Sequence, residues 1–165
     1  MIILGIDPGL AIMGYGVIDY RPGGYYKVID YGCVFTEADM PFVERLTRIY
    51  DGMQQLFDLY QPDAVAMEEL FFNKNVKTAL QVGHARGAAL VAAARNTKEL
   101  YEYTPLQVKQ SVVGYGRADK HQVQVMVQTI LNLKEIPRPD DAADALAVAI
   151  CHANSSDMPQ SFKIE

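Results

Sequence analysis

The chain has 165 residues, 50% of them hydrophobic and 21% charged, which fits one globular domain with a single sizeable core. No apolar run approaches the roughly 20 residues of a membrane span, the start lacks the basic segment of a signal peptide, and two cysteines are too few for a disulfide framework or a zinc site. We therefore expect a cytoplasmic protein, and its net charge of −5 would by itself argue against a nucleic-acid partner.

The first half of the chain predicts three strands and a helix. Residues 2–7 form a continuous apolar run, typical of a strand covered on both faces, and residues 13–20 and 25–35 are predicted to be two more strands. The connection between these two is so short that they should be antiparallel neighbours. Pro41 then begins an amphipathic helix, in which apolar residues recur every three to four positions up to Tyr60.

The next elements alternate between strand and helix. Residues 63–68 make a short apolar strand, a long helix covers about 76–96, and residues 99–103 make a fifth strand. Three strands in a meander, followed by parallel strands with helical crossovers, give an α/β fold. We predict a five-stranded mixed sheet with helices on both faces.

The end of the chain predicts three more helices. Pro105 opens the first, Asp119 can cap the second, and the third begins near Asp140. We expect residues 1–153 to form one domain, and the polar residues 154–165 to be a flexible tail.

The long helix carries small residues at a four-residue spacing, at Ala79, Gly83 and Gly87. Glycine in a helix interior costs about 1 kcal/mol relative to alanine, so such a stripe indicates that another backbone comes close. Two partners remain open for this stripe, namely the sheet of the same chain or a second subunit.

Acidic residues stand at the ends of two apolar strands. Asp7 ends the first strand, and Glu68 and Glu69 end the fourth. If these strands are parallel neighbours, their ends meet at the edge where open α/β sheets place ligand sites. Side chains alternate along a strand, so only one of the two glutamates can join Asp7, and spacing alone does not say which.

The last helix adds a second group of acids. Asp141 and Asp144 are three residues apart, and Asp140 and Asp144 are four apart, so either pair shares a helix face. Capping of the first helical turn is the alternative explanation, and it fits Asp140 best. Unpaired buried carboxylates are costly, and Mg²⁺ or Mn²⁺, which prefer oxygen ligands, are suitable partners. A cluster that binds two such ions would support phosphodiester hydrolysis.

The middle of the chain is basic although the whole is acidic. Residues 74–120 hold eight Lys or Arg and three acids, a net charge of +5, which leaves −10 for the rest. This segment is either a polyanion-binding face or a solvated surface. Lys109 and Lys120 flank a Gly-rich break between two helices. Either they contact phosphate there, or they are solvated side chains at the helix ends. Phe71 and Phe72, in a polar-flanked loop after the acids, stack on bases or pack in the core.

Several short motifs occur in a defined order between residue 1 and about residue 153. They are Ile-Asp-Pro-Gly-Leu at 6–10 with Gly14-Tyr15-Gly16, Met67-Glu68 leading into Phe71, Gly83-His84-Ala85-Arg86-Gly87, Gln107-Val108-Lys109-Gln110 with Val112-Val113-Gly114, and Asp141-Ala142-Ala143-Asp144-Ala145-Leu146. Each motif is moderately specific, and the set in this order is highly specific. The chain resembles the RuvC family of Holliday-junction resolvases, which have the ribonuclease H-like fold.

The resemblance implies a metal-dependent endodeoxyribonuclease that resolves four-way junctions in recombination and repair by paired, symmetric nicks. It implies four catalytic, metal-binding carboxylates, which are Asp7, Glu68, Asp141 and Asp144, holding two Mg²⁺ ions with Mn²⁺ as a substitute. Glu69 and Asp140 are not among the metal-binding carboxylates that the resemblance implies. It implies further that Lys109 and Lys120 assist at the scissile strand. From the resemblance together with the basic segment and the aromatic loop, we expect the following residues to contact DNA: Phe71, Phe72, Lys74, Lys77, Arg86, Lys109, Arg117 and Lys120.

The resemblance also implies partners, namely four-way junction DNA, a second copy of the chain in a homodimer, and a branch-migration helicase complex. Phe71 would reach the junction crossover, and the adjacent Phe72, a departure from the family pattern, leaves the choice of aromatic open. Three alternatives remain. They are a related nuclease that processes ribosomal RNA, an ATP-binding module suggested by Asp-x-Gly after the first strand, and an inactive junction-binding protein.

Overall fold

A computed structural model describes residues 1–70, 76–97, 99–155 and 159–164, with residues 76, 77, 159 and 160 described through their backbone alone. The strands are β1 (Ile2–Asp7), β2 (Ile12–Arg21), β3 (Tyr25–Phe35), β4 (Ala64–Glu68) and β5 (Leu100–Tyr103). The helices are α1 (Phe42–Tyr60), α2 (Val76–Ala94), α3 (Pro105–Val113), α4 (Lys120–Ile130) and α5 (Asp140–Asn154). The predicted order of elements is confirmed.

The strands form one mixed sheet in the order β3-β2-β1-β4-β5. Strands β1, β2 and β3 are antiparallel neighbours, whereas β4 and β5 continue the sheet in parallel from β1. The turn between β2 and β3 uses Gly23 and Gly24 at positive φ, where a side chain would be strained. The register of β1 against β4 places Ile6 beside Met67, so that Asp7 and Glu68 end side by side.

Two hydrophobic cores lie on opposite faces of the sheet, as the alternation of side chains along a strand requires. In β1, Ile3 packs against α3, α4 and α5, whereas Leu4 and Ile6 pack against α1 and α2. The prediction of helices on both faces is confirmed. Within the described ranges, no helix combines the length and the apolar character needed to cross a membrane.

Helix α5 packs directly on the backbone of the sheet. A Cβ atom added to Gly5 would lie 2.1 Å from the carbonyl oxygen of Ala145, and one added to Gly14 would lie 2.0 Å from that of Asp141. Such distances are far below carbon–oxygen contact, so only glycine permits this approach. The alanine-rich helix and the glycines of β1 and β2 therefore fix the height of α5 above the sheet.

The end of the chain packs against β5. The Phe162 ring lies 5.0 Å from the Tyr103 ring, Lys163 Nζ lies 2.7 Å from Glu99 Oε1, and the Ile164 amide donates to the Leu100 carbonyl at 2.9 Å. Residues 162–164 thus pack against β5, whose edge offers unpaired backbone groups and an aromatic contact. The division into a domain over 1–153 and a tail over 154–165 stays a prediction.

Candidate active site

Two strand ends contribute a carboxylate each. Asp7 and Glu68 close β1 and β4 at the same sheet edge. Glu68 lines a cavity of about 230 Å³ that it shares with Asp144, whereas Glu69 lines another cavity beside Glu102. Of the two glutamates that spacing left open, the structure therefore places Glu68, and not Glu69, on the side of the other acids.

Helix α5 brings two further carboxylates over the same edge. Gly14 pairs with Asp7 in the register of β1 and β2, and the backbone of Asp141 lies directly above Gly14. Asp141 therefore stands next to Asp7. Asp144, one turn along the helix, faces the cavity lined by Glu68. The structure thus brings together the four acids of the predicted tetrad.

Burial of three of these carboxyl groups disfavours their ionised forms. Burial, and then the fields of Asp144, Glu68 and Asp141, raise the pKa of the Asp7 carboxyl to about 8. Burial followed by the field of Asp144 raises the pKa of Glu68, and burial also raises the pKa of Asp144. Several ionised carboxylates at one place require a compensating cation.

Two lysines supply part of that positive charge. Lys120 Nζ lies 2.9 Å from Asp144 Oδ2 and 3.6 Å from Asp140 Oδ2. Burial by itself lowers the pKa of Lys120, but the bond to Asp144 and the fields of the acids outweigh it, so the pKa is raised. Lys109 lines the same cavity and, with Lys120, opposes the rise in the pKa of Glu68. Asp140 sits at the rim, where Arg138 also pairs with it.

The donor chemistry of the cluster fits a hard divalent cation, because its four acids offer oxygen ligands alone. In the described ranges, no three acidic, thiol or imidazole groups already converge on a single ion position. Lys120 occupies a carboxylate oxygen of Asp144 instead. A metal ion bound by Asp144 would therefore replace the ammonium group of Lys120, a cation that the carboxylates already attract.

The predicted DNA-contacting residues have different surroundings. The Arg86 guanidinium bonds to Glu102 Oε2 at 2.6 Å, and its side chain is only 16% exposed, so it ties α2 to β5. Its contact with DNA stays a prediction. Arg117 is exposed in the turn before α4. Phe71, Phe72, Lys74 and the side chain of Lys77 lie outside the described residues.

Two neighbours of the acids were missed from the sequence. The thiol of Cys33 lies beside them, and burial followed by the fields of Asp141 and Asp7 raises its pKa to about 12, which keeps it protonated and inert. Arg45 lines a second groove together with Asp141. Neither residue belongs to a spaced motif, and both reach the site through strand pairing and helix packing.

Comparisons with known proteins point to a single family. The family model described as crossover junction endodeoxyribonuclease RuvC matches residues 3–152. Proteins of that name from Alkaliphilus oremlandii and Alkaliphilus metalliredigens are 62% and 59% identical over 165 residues, which cover 100% of both chains in each pair. The structure of T. thermophilus RuvC in complex with Holliday junction substrate is 40% identical, with a TM-score of 0.92, and covers 99% of this chain and 98% of that one.

Proposed function

This chain belongs to the RuvC family of crossover junction endodeoxyribonucleases, and we propose that it resolves four-way DNA junctions by paired, symmetric hydrolysis of two phosphodiester bonds. The observation that carries the proposal is the gathering of four carboxylates at one sheet edge beside two lysines. The similar T. thermophilus protein was solved with a Holliday junction substrate. Processing of ribosomal RNA is not supported, because the similar proteins are named as DNA endonucleases.

The proposed ligands of the divalent ions are Asp7, Glu68, Asp141 and Asp144. These four residues would hold two divalent ions, Mg²⁺ with Mn²⁺ as a substitute, and the chemistry supplied there would be activation of a water and stabilisation of the leaving oxygen of a phosphodiester. Lys109 and Lys120 line the cavity beside these acids and offset the charge of the phosphate that approaches them. Lys120 Nζ lies 2.9 Å from Asp144 Oδ2, a contact that would give way to a metal ion held by Asp144.

We propose that the active form is a homodimer that uses α2. A Cβ atom added to Gly83 or Gly87 would meet nothing within 4 Å, so the chain's own sheet does not account for these glycines. Leu80 and Val91 are each 58% exposed on the same helix. Of the two partners that the sequence left open for this stripe, the contacts therefore favour a second subunit. Two active sites related by symmetry would also account for paired nicks.

Other parts of the proposal rest on the family alone. We propose that residues 1–153 act as one nuclease domain and that a branch-migration helicase complex delivers the junction. A DNA substrate also supports a cytoplasmic location. Junction contacts by Phe71, Phe72, Lys74 and Lys77 remain predictions from the sequence.

Incubation with a synthetic mobile four-way junction and Mg²⁺ tests the main proposal. We expect nicks at symmetric positions on two strands of like polarity, ligatable products, and no cleavage by the Asp7→Asn variant. A linear duplex and a structured RNA of equal length serve as competing substrates. Preferential cleavage of the RNA, or nicks that fall independently on single strands, would contradict the proposed reaction.

A further inference from the structure

A groove of about 320 Å³ is separate from the cavity that the two lysines line. It is lined by the loop over residues 9–12 that follows Asp7, by residues of α1 and α2, and by Asp141. Arg45, in the first turn of α1, provides the positive charge among the described residues that line it. We infer that Arg45 binds a backbone phosphate of the strand that enters the active site, an inference that rests on the proposed function.

The Arg45 side chain is held in place from one side. Its Nε donates a hydrogen bond to Thr36 Oγ1 at 2.9 Å. Thr36 is only 6% exposed, and its hydroxyl in turn donates to the carbonyl oxygen of Leu10, while its amide donates to that of Ala11 at 2.9 Å. The guanidinium is thus tied through a buried threonine to the loop that follows Asp7, so its position relative to the acids is fixed.

The remaining donors of the guanidinium belong to a side chain that lines the groove. Nε is used by Thr36, which leaves the two terminal nitrogens, and no carboxylate of the described residues lies within ion-pair distance of them. A guanidinium with two free nitrogens fits the oxygens of a phosphate. Asp141 lines the same groove and is one of the proposed metal ligands. A nucleic-acid strand with one phosphate at the metal ions would therefore carry a neighbouring phosphate past Arg45.

The test compares two single-charge variants of the same helix. Arg45→Gln removes the proposed phosphate ligand, whereas Arg48→Gln removes an exposed guanidinium that lies beside Met40 Sδ and lines another cavity. Junction affinity is measured without divalent metal over a range of salt concentrations. We expect Arg45→Gln to bind about 10-fold more weakly and to reduce the salt slope of log K by about 0.9 for each phosphate that the variant no longer neutralises. Arg48→Gln should keep the wild-type affinity and slope.

A second measurement separates phosphate binding from a structural role. A series of junctions is prepared, each with one phosphate near the nick replaced by a neutral methylphosphonate. At one position in this series the replacement should weaken binding by the wild-type protein, and the same replacement should not change the affinity of Arg45→Gln. Arg45→Lys, which keeps the charge, should recover part of the affinity.

Wild-type affinity and salt slope in Arg45→Gln would overturn the inference, and so would equal methylphosphonate sensitivity in both proteins. A lowered Tm with no recovery in Arg45→Lys would also overturn it, because it would assign Arg45 a structural role alone. If the wild-type protein itself neither binds nor nicks the junction, it is the proposed function that fails.

Discussion

Replacement of Gly14 by alanine should damage catalysis from a position that carries no functional group. The added Cβ would stand 2.0 Å from the carbonyl oxygen of Asp141, whereas such contacts essentially never fall below 3.0 Å, so α5 must shift by roughly 1 Å at its first turn. Overpacking of this kind costs about 1–3 kcal/mol of unfolding free energy. A displacement of about 1 Å at a catalytic group can cost about 100-fold in rate.

Single-turnover nicking of a four-way junction at saturating enzyme measures the rate, and urea unfolding measures the stability. Gly16→Ala is the comparison on the same strand, because its Cβ would meet the Leu146 side chain at 2.7 Å and the Leu146 Cα at 3.0 Å, a contact beyond the first turn of α5 that carries Asp141. We expect Gly16→Ala to lose stability while keeping most of its nicking rate per folded molecule. Wild-type nicking by a folded Gly14→Ala protein would refute the idea that this close approach positions Asp141.

Three further outcomes are expected. Asp7→Asn should abolish nicking and leave junction binding largely intact, as measured by gel shift, and nicking at the wild-type rate would contradict the metal-binding role. Burial lowers the pKa of His152 in the folded protein to about 4, whereas the imidazole of the unfolded chain has a pKa of about 6.5. As pH falls from about 6.5 to 4, the unfolded chain therefore binds a proton that the folded protein does not, and the free energy of unfolding should drop by up to about 3 kcal/mol. Urea unfolding across this window should show a flatter pH slope in His152→Gln than in the exposed control His121→Gln. Leu80→Glu, in the apolar stripe of α2, should yield monomers by analytical ultracentrifugation, whereas Leu59→Glu, equally apolar and 70% exposed on α1, should not change the oligomeric state.

Local patterns were enough to predict the order of strands and helices. The capping box of α4 at Asp119 illustrates why, since the aspartate and Gln122 bond each other's backbone within one helical turn. The apolar run of β1 and the short turn before β3 are equally local. Such signals depend on residues close together in the chain, and tertiary packing did not override them.

The candidate site was predictable in its residue types but not in its geometry. The choice between Glu68 and Glu69 requires the register of β1 against β4, which spacing does not contain. The ion pair of Arg86 with Glu102 joins a helix to a strand 16 residues away, so the arginine looked like a free cation in the sequence. Arg45 was missed because its orientation depends on Thr36, a residue outside any regular element.

The packing of residues 163 and 164 along β5 has a consequence for self-association. An edge strand exposes backbone donors and acceptors that template pairing with another chain. Here the Ile164 amide bonds to Leu100, and Lys163 pairs with Tyr101 in an antiparallel bridge, so part of that edge is already satisfied from within. Lys163 also places a charged side chain at this edge, where it pairs with Glu99. Residues 163 and 164 thus cover part of an edge that would otherwise be open to pairing with a strand of another chain.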